Sequence, residues 1–351
     1  MAEYYTRMGD GKRVTMTKEQ IMNDLQDGTA DAADMASVPS LDANELEHLA
    51  EIIMCQDRVV GVTPGNEVVL SYDIGQLDFT GDNGNSGNGV DMGRLEAALL
   101  HERALGADTF ELAHSDYSIK PVIAMEMQTM EEIQAEIVAP FFYGAMPNQG
   151  LYYAPDGPYG NPADLMREFK IEESMQQSEL ASAHVTRDIE YVATRLQAAG
   201  SDGFNFDTTG SAGDADCVGT LNGVKLLREQ CPEAYIQVGF AGESIMGIHG
   251  MIEFEGQVVA GMYPHQYVHI AEKAGANVCG TVVNTNTSKS LAFNMARAVT
   301  FIKEAVKTSN IPIHADMGMG VGGIPMCETP PIDAVSRCSK AMVEVAGVDG
   351  I

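Results

Sequence analysis

Three carboxylates stand where short apolar runs of the sequence end. Asp207 closes "GFNFD", Glu243 closes "YIQVGFAGE" and Asp316 closes "IPIHAD". If these runs are parallel strands, their carboxyl ends meet at one edge of a sheet, where α/β proteins place their chemistry. Carboxylates at that edge suit a cationic substrate, because an ammonium group removed from water needs a paired charge. We therefore predict Glu243, Asp207 and Asp316 as catalytic residues.

Further polar residues share a face of these strands with the carboxylates. Side chains alternate along a strand, so Phe204 and Ile236 face one side while Asn205 and Gln237 face the other. Hydrogen bonds within the core are as good an interpretation of such residues as contact with a substrate. The residues that we predict to line the site in this way are Asn205, Gln237, His314, Glu111 and Asn284.

Aromatic residues and a hairpin are predicted at the mouth of the site. Tyrosine rings can hold a cationic ammonium group by cation–π contact, and packing of the loop is the alternative interpretation. The segment "GIHGMIEFEGQVVAGMYP" predicts a hairpin turned by Glu255 and Gly256, as a lid or a partner contact. The tyrosines concerned are Tyr143, Tyr152, Tyr153 and Tyr159.

The elements that would position these residues follow a repeated pattern from about Asp91. A helical stretch ends at Gly, a short turn carries Asp or Asn, and an apolar strand follows. The pattern recurs in "ALGADTFELAHSD", "AAGSDGFNFDTTG", "KAGANVCGTVVNT" and "VAGVDGI". The Gly supplies the left-handed end of each helix. Strands that alternate with helices imply parallel pairing.

Seven strands result when "EIVAPFFYGA", "AYIQVGFAGES" and "IPIHADMGMG" are added, with "VDGI" as the seventh. This number favours an α/β fold, a (β/α)8 TIM-type barrel over residues 91–351 that lacks its C-terminal part. An open doubly wound sheet is the alternative.

Residues 1–90 read as an N-terminal extension of helices and a β-hairpin. Two helices are predicted at "TKEQIMNDLQDG" and "SLDANELEHLAEII", the second with Asp42 and Glu45 at capping-box spacing. The stretch "RVVGVTPGNEVVLSYDIG" predicts a hairpin around Pro64, Gly65 and Asn66.

The charge of the chain disfavours several classes of partner. Among its 351 residues, 50 acidic ones outnumber 21 basic ones, for a formal charge of -29. No basic cluster suits nucleic acid or an anionic membrane. The acidic excess is a surface tuned for solubility or a field that attracts a cationic substrate. With no signal-peptide pattern and no long apolar run, we expect a cytoplasmic protein.

Six cysteines are scattered without a C-x-x-C pair, so we expect reduced thiols, no disulfide framework and no structural metal site. Whether the chain forms a homo-oligomer stays open.

Several long blocks of the sequence closely resemble the dimethylamine methyltransferases of methylotrophic methanogens, over essentially all 351 residues. The most specific blocks are "GDNGNSGNGV", "HERALGADTFELAHSDYSIKPV", "FFYGAMPNQGLYYAPDGP", "NFDTTGSAGDAD", "NTNTSK" and "DMGMGVGGIPMCETPPIDAV". The resemblance implies a (β/α)8 barrel that passes a methyl group from dimethylamine to the Co(I) corrinoid of a cognate corrinoid protein. It also implies that the corrinoid is carried by that partner, and that this chain binds no cofactor itself.

The same resemblance implies a pyrrolysine, encoded by UAG, directly after "AGVDGI". The expectation is that this chain ends where UAG was read as stop, and that it is an inactive truncation. In this setting Glu243 is the first choice for ammonium binding and proton transfer, with Asp207 and Asp316 in support. Asn205, Gln237 and His314 would orient the pyrrolysine ring.

Two other functions remain open at this point. A zinc-thiolate methyltransferase would also deliver methyl groups to cobalt, with Cys217 and Cys327 as the thiols that follow strand ends. A non-catalytic module that binds the corrinoid protein is the second alternative.

Overall fold

The computed structural model describes residues 2–66, 149–247, 249–285, 288–327 and 330–351. Between residues 67 and 148 it describes residue 132 and the backbone of the short strands named below.

The chain begins with a hairpin and two helices. Strands β1 (Glu3–Arg7) and β2 (Arg13–Thr17) pair in antiparallel fashion. Helix α1 (Lys18–Ala36) and helix α2 (Ala43–Met54) each begin with a capping box. The two predicted helices are therefore confirmed, including the cap formed by Asp42 and Glu45. The hairpin β1–β2 was not predicted, and α1 continues beyond the predicted stretch.

The rest of the chain alternates short strands with helices. The strands are β3 (Asp73–Ile74), β4 (Leu77–Phe79), β5 (Asn88–Val90), β6 (Thr109–Leu112), β7 (Lys120–Ala124), β8 (Gly203–Thr209), β9 (Tyr235–Phe240), β10 (Glu253–Phe254), β11 (Gln257–Val258), β12 (Val278–Thr281) and β13 (Ile313–Ala315). The helices are α3 (Pro162–Arg167), α4 (Ile171–Ala198), α5 (Asp214–Gln230), α6 (Pro264–Ala274), α7 (Leu291–Thr308) and α8 (Ile332–Ala341), with a 3₁₀ turn at Gln149–Tyr152 and a π turn at Met342–Ala346. None of the helices in these segments has both the length and the apolar character needed to span a bilayer.

A seven-stranded sheet organises the fold, in the order β13-β12-β9-β8-β7-β6-β3. Four neighbouring strands, β8, β9, β12 and β13, pair in parallel, as predicted for the runs that carry the site. Helices α5, α6 and α7 connect them. Phe204, Phe206, Ile236 and Val238 are fully buried, which confirms them on the apolar face of their strands.

The expectation of purely parallel pairing is wrong at β7. This strand lies between β6 and β8 and pairs with both in antiparallel fashion. The connection from β6 to β7 spans only residues 113–119, which is too short for the crossover that a parallel pair requires. The strand predicted at 136–145 lies outside the described residues.

The end of the chain adds to the parallel part of the sheet. Gly350 pairs with His314 in a parallel bridge, and the backbone N–H of Ala315 donates to Gly350 O at 3.0 Å. This is the place predicted for the strand "VDGI". In the described part of the chain the sheet does not close, so the barrel stays a prediction.

Helix α1 packs closely along α7 at a glycine. A Cβ atom on Gly28 would lie 2.2 Å from the carbonyl oxygen of Phe293, so only glycine permits this approach of the two backbones. Thr29, the next residue, bonds to Thr300 through their hydroxyls at 2.9 Å. The N-terminal helix is thus joined to the helix that follows β12.

We predict that Gly28→Ala lowers the free energy of unfolding, although alanine favours an isolated helix by about 1 kcal/mol over glycine. The physical reason is the steric clash with the backbone at Phe293. Urea titration measures the free energy of unfolding. Ala30→Gly, at an exposed position of the same helix, is the control for the helix propensities of alanine and glycine. A stabilised Gly28→Ala protein would contradict the close packing.

Candidate active site at the carboxyl ends of the parallel strands

The parallel strands bring four of the predicted site residues to one edge of the sheet. Asp207 lies in the last part of β8, and Asp316 directly follows β13. Glu243 and Asn284 lie in the loops after β9 and β12. Because these strands run in the same direction, all four residues lie at the carboxyl edge.

A β-bulge aims Asp207. Phe206 pairs with Val238 and Thr209 with Phe240, so Asp207 and Thr208 together stand opposite the single residue Gly239. Thr208 has φ of 52°, which is rare for a β-branched residue. Its N–H donates to Asp207 Oδ1 at 2.8 Å. Bulges of this kind re-aim side chains beside active sites.

Asn205 and Asp207 lie on the same face, as predicted. A Cβ on Gly239 would lie 3.5 Å from Asp207 Oδ1 and 3.7 Å from Asn205 Oδ1. Asn205 is buried and Asp207 is half-buried. On this face the side-chain oxygens of Asn205 and Asp207 lie beside Gly239, which itself has no side chain.

Gln237 and His314 contact each other across the sheet. Gln237 Nε2 lies 3.3 Å from His314 Nδ1 and donates to it when the neutral ring carries its proton on Nε2. The Tyr235 hydroxyl donates to Gln237 Oε1 at 3.3 Å. Both contacts fit the interpretation that these polar residues satisfy each other within the core. Tyr235 was not predicted as a partner.

Glu243 is held by two residues at once. Its Oε1 accepts from Arg297 Nη2 at 3.0 Å, and its Oε2 accepts from both the backbone N and the Nδ2 of Asn284, each at 3.0 Å. The residue is buried. Two of the residues predicted from sequence, Glu243 and Asn284, are thus directly bonded.

These contacts keep Glu243 ionised. Burial, the largest effect, raises the pKa of Glu243, but the hydrogen bond from the Asn284 backbone and the charge of Arg297 outweigh it. The pKa of Glu243 therefore lies below its ordinary value. A carboxyl group of this kind is a fixed negative charge near neutral pH and a poor proton carrier.

Arg297 is the residue of this cluster that sequence reasoning missed. Its side chain is 4% exposed, and its Nε donates to Asp31 Oδ2 at 2.9 Å while Nη1 donates to Asn284 O at 3.3 Å. The feature of the sequence that could have identified Arg297 is that it is the one charged residue within "LAFNMARAVTFI", the first part of α7. In this helix every residue from 291 to 302 is buried.

The N-terminal hairpin touches the loops at the same edge. The N–H of Gly9 donates to Lys289 O at 2.7 Å, and the N–H of Met326 donates to Gly9 O at 2.9 Å. Arg7 forms an ion pair with Asp333 at 2.8 Å. The turn between β1 and β2 therefore joins the loop after β12 to the loop after β13.

The predicted hairpin after β9 is confirmed. β10 and β11 pair in antiparallel fashion, with Glu255 and Gly256 both at positive φ in the turn. Lys225 on α5 bonds to Glu255. Met246 and Met251, on the approach to the hairpin, are 76% and 66% exposed. Its role as a lid or partner contact stays a prediction.

Two of the predicted tyrosines, Tyr152 and Tyr159, pack against α4. Tyr152 stacks on His184 with ring centroids 4.4 Å apart and bonds to Asp188, while the Tyr159 hydroxyl lies 2.7 Å from His184 Nε2. Burial raises the pKa of Tyr152 to about 12, and the bond to Asp188 adds to it. Tyr153 contacts Gln149. These contacts favour the loop-packing interpretation.

The remaining predicted residues are placed less fully. Asp316 is exposed. The backbone of Glu111 lies in β6, but its side chain and the whole of Tyr143 lie outside the described residues. Burial raises the pKa of Cys217 and Cys327, which disfavours their thiolates. Within the described segments no three His, Cys, Asp or Glu residues form a group that could hold a metal ion.

The geometry defines an α/β protein with a carboxylate- and amide-rich cluster at the carboxyl edge of four parallel strands. One family profile, described as "Dimethylamine methyltransferase (Dimeth_PyL)", matches residues 2–351. The chain therefore belongs to the dimethylamine methyltransferase family, as its sequence blocks predicted. No solved structure matches it at a significant level.

We predict that Arg297→Met lowers the free energy of unfolding by about 3–5 kcal/mol, because it leaves Glu243 buried without its charge partner. Adding Glu243→Gln to this variant removes the unpaired charge and should restore part of the loss. Urea unfolding of the two single variants and the double variant measures the coupling. If Arg297→Met and the double variant are equally stable, the unpaired charge of Glu243 is not the cause of the loss, and the prediction is wrong.

Proposed function

We propose that this protein transfers a methyl group from dimethylamine to the Co(I) corrinoid of a cognate corrinoid protein, in methanogenesis from dimethylamine. The observation that carries the proposal is the family match over residues 2–351. The acid-rich edge of the sheet supports it, since dimethylammonium is a small cation. In this proposal the corrinoid belongs to the partner and supplies the nucleophilic cobalt that accepts the methyl group.

The geometry favours a division of labour among the three predicted carboxylates. Glu243 has both oxygens engaged by Arg297 and Asn284 and a lowered pKa, so we assign it the role of a fixed charge that orients Asn284. Asp207 is half-buried beside Gly239, and we assign it ammonium binding and proton transfer. Asp316 is exposed and stands at the rim of the site.

Pyrrolysine, which the sequence resemblance implies directly after Ile351, would supply an electrophilic imine in this proposal. Paired residues of parallel strands face the same side of a sheet, and Gly350 pairs with His314. A residue that follows Ile351 in the same strand would therefore lie on the face of His314. Gly239 on β9 and Gly280 on β12 place no side chain on that face.

We predict that the protein expressed from its natural gene, in a host that decodes UAG as pyrrolysine, methylates the corrinoid protein only when dimethylamine is present and cobalt is reduced to Co(I). Cobalt absorbance after addition of each methylamine measures the reaction. Equal or faster methylation from monomethylamine or trimethylamine would contradict the substrate assignment. Binding of the corrinoid protein without turnover would favour the non-catalytic alternative.

We predict that Asp207→Asn lowers kcat by about a hundredfold, the range expected when a proton-transfer group is removed. The matched control is Asp202→Asn, an exposed aspartate just before the opposite end of β8. Both variants are compared by cobalt absorbance after their melting temperatures have been shown to match the wild type. A normal rate in Asp207→Asn would contradict its role in proton transfer and move that step to Asp316.

A further inference from the structure

The side-chain amide of Asn284 is held in one orientation. Its Nδ2 lies 3.0 Å from Glu243 Oε2 and 3.5 Å from the carbonyl oxygen of Ala241. Turning the amide over would place its oxygen against the Glu243 carboxylate and that carbonyl. Three acceptors would then face one another without a proton, so the network fixes Nδ2 on this side. The amide oxygen Oδ1 must therefore point away from Glu243.

Glu243 is in turn held by a chain of charges that begins on the N-terminal helix. Asp31 on α1 accepts from Arg297 Nε at 2.9 Å, and Arg297 Nη2 donates to Glu243 Oε1 at 3.0 Å. The guanidinium is planar and its donors diverge at fixed angles, so the two carboxylates fix its plane. The second oxygen of Glu243 is then left to Asn284.

The backbone beside Asn284 is shaped to admit this arrangement. A Cβ atom on Gly242 would lie 2.8 Å from Asn284 Nδ2, closer than atoms approach without a shift. Gly242 has no positive φ that would itself require glycine. The absence of a side chain at position 242 is thus explained by the room that the Asn284 amide needs.

We infer that Asp31, Arg297 and Glu243 are positioning residues that fix the amide of Asn284, so that its Oδ1 accepts an N–H of the ammonium substrate. The inference rests on the proposed function and names the orienting acceptor of that site. Asn284 is half-buried and lies at the edge where Asp207 and Asp316 lie. A neutral acceptor orients the cation by direction, whereas a carboxylate attracts it from any side.

The first test removes no charge. Gly242→Ala displaces the Asn284 amide, and we expect the KM for dimethylamine to rise about tenfold, with kcat changed far less, because ground-state and transition-state binding are lost together. Gly61→Ala is the matched control, since a Cβ there meets nothing within 4 Å. An unchanged KM in Gly242→Ala, or an equal rise in Gly61→Ala, would overturn the inference.

The second test acts from the far end of the chain of charges and does not depend on activity. Asp31→Ala should shift and broaden the side-chain NH₂ signal of Asn284 in ¹⁵N-labelled protein, while Asp31→Glu keeps it near its wild-type position. Asp34→Ala, an exposed aspartate on the same helix, is the control. The signal is assigned by its loss in Asn284→Asp.

The two proposals fail separately. If the wild-type protein does not methylate cobalt from dimethylamine, the proposed function is wrong, while the Asn284 signal still decides whether the positioning chain exists. If the wild type is active but the signal is the same in Asp31→Ala, Gly242→Ala and the wild type, the positioning chain is wrong. Should Gly242→Ala fail to fold, Asp31→Ala and Asp31→Glu carry both the KM comparison and the NMR comparison.

Discussion

The buried guanidinium of Arg297 is the interaction on which the candidate site depends. A charge that is 4% exposed is tolerated only when partners replace its water, and here the partners come from α1, from the loop after β9 and from the loop after β12. Asp31 and Arg297 are 266 residues apart in sequence. The ion pair therefore makes the N-terminal helix part of the framework that positions Glu243.

This dependence bears on the predicted division at residue 90. Gly28 packs on the backbone of α7 at Phe293, and the β1–β2 turn bonds to the loops after β12 and β13. The boundary itself stays a prediction. Physically, however, residues 2–36 contact the edge of the sheet at which the site lies, so their removal would expose both a charge and a close helix contact.

Local patterns in the sequence were enough to predict the elements that carry the site. The capping box at Asp42 acts within one helical turn, and the alternation in "GFNFD" acts between neighbours along one strand. Parallel pairing puts strand ends together and so predicted Glu243 and Asn284 at one edge, but their hydrogen bond was not predicted. Arg297 and β7 could not be predicted in this way, because the partner of a buried charge and the direction of a short strand are decided by distant segments.

Carboxylate groups stand in two different environments at this edge. Glu243 is buried, bonded through both oxygens and held ionised by Arg297, so its charge is constant and its position is fixed. Asp207 and Asp316 are accessible, and Asp207 is aimed by a strained bulge. The buried carboxylate is therefore part of the framework of the site, whereas Asp207 is half-buried and Asp316 is exposed to solvent.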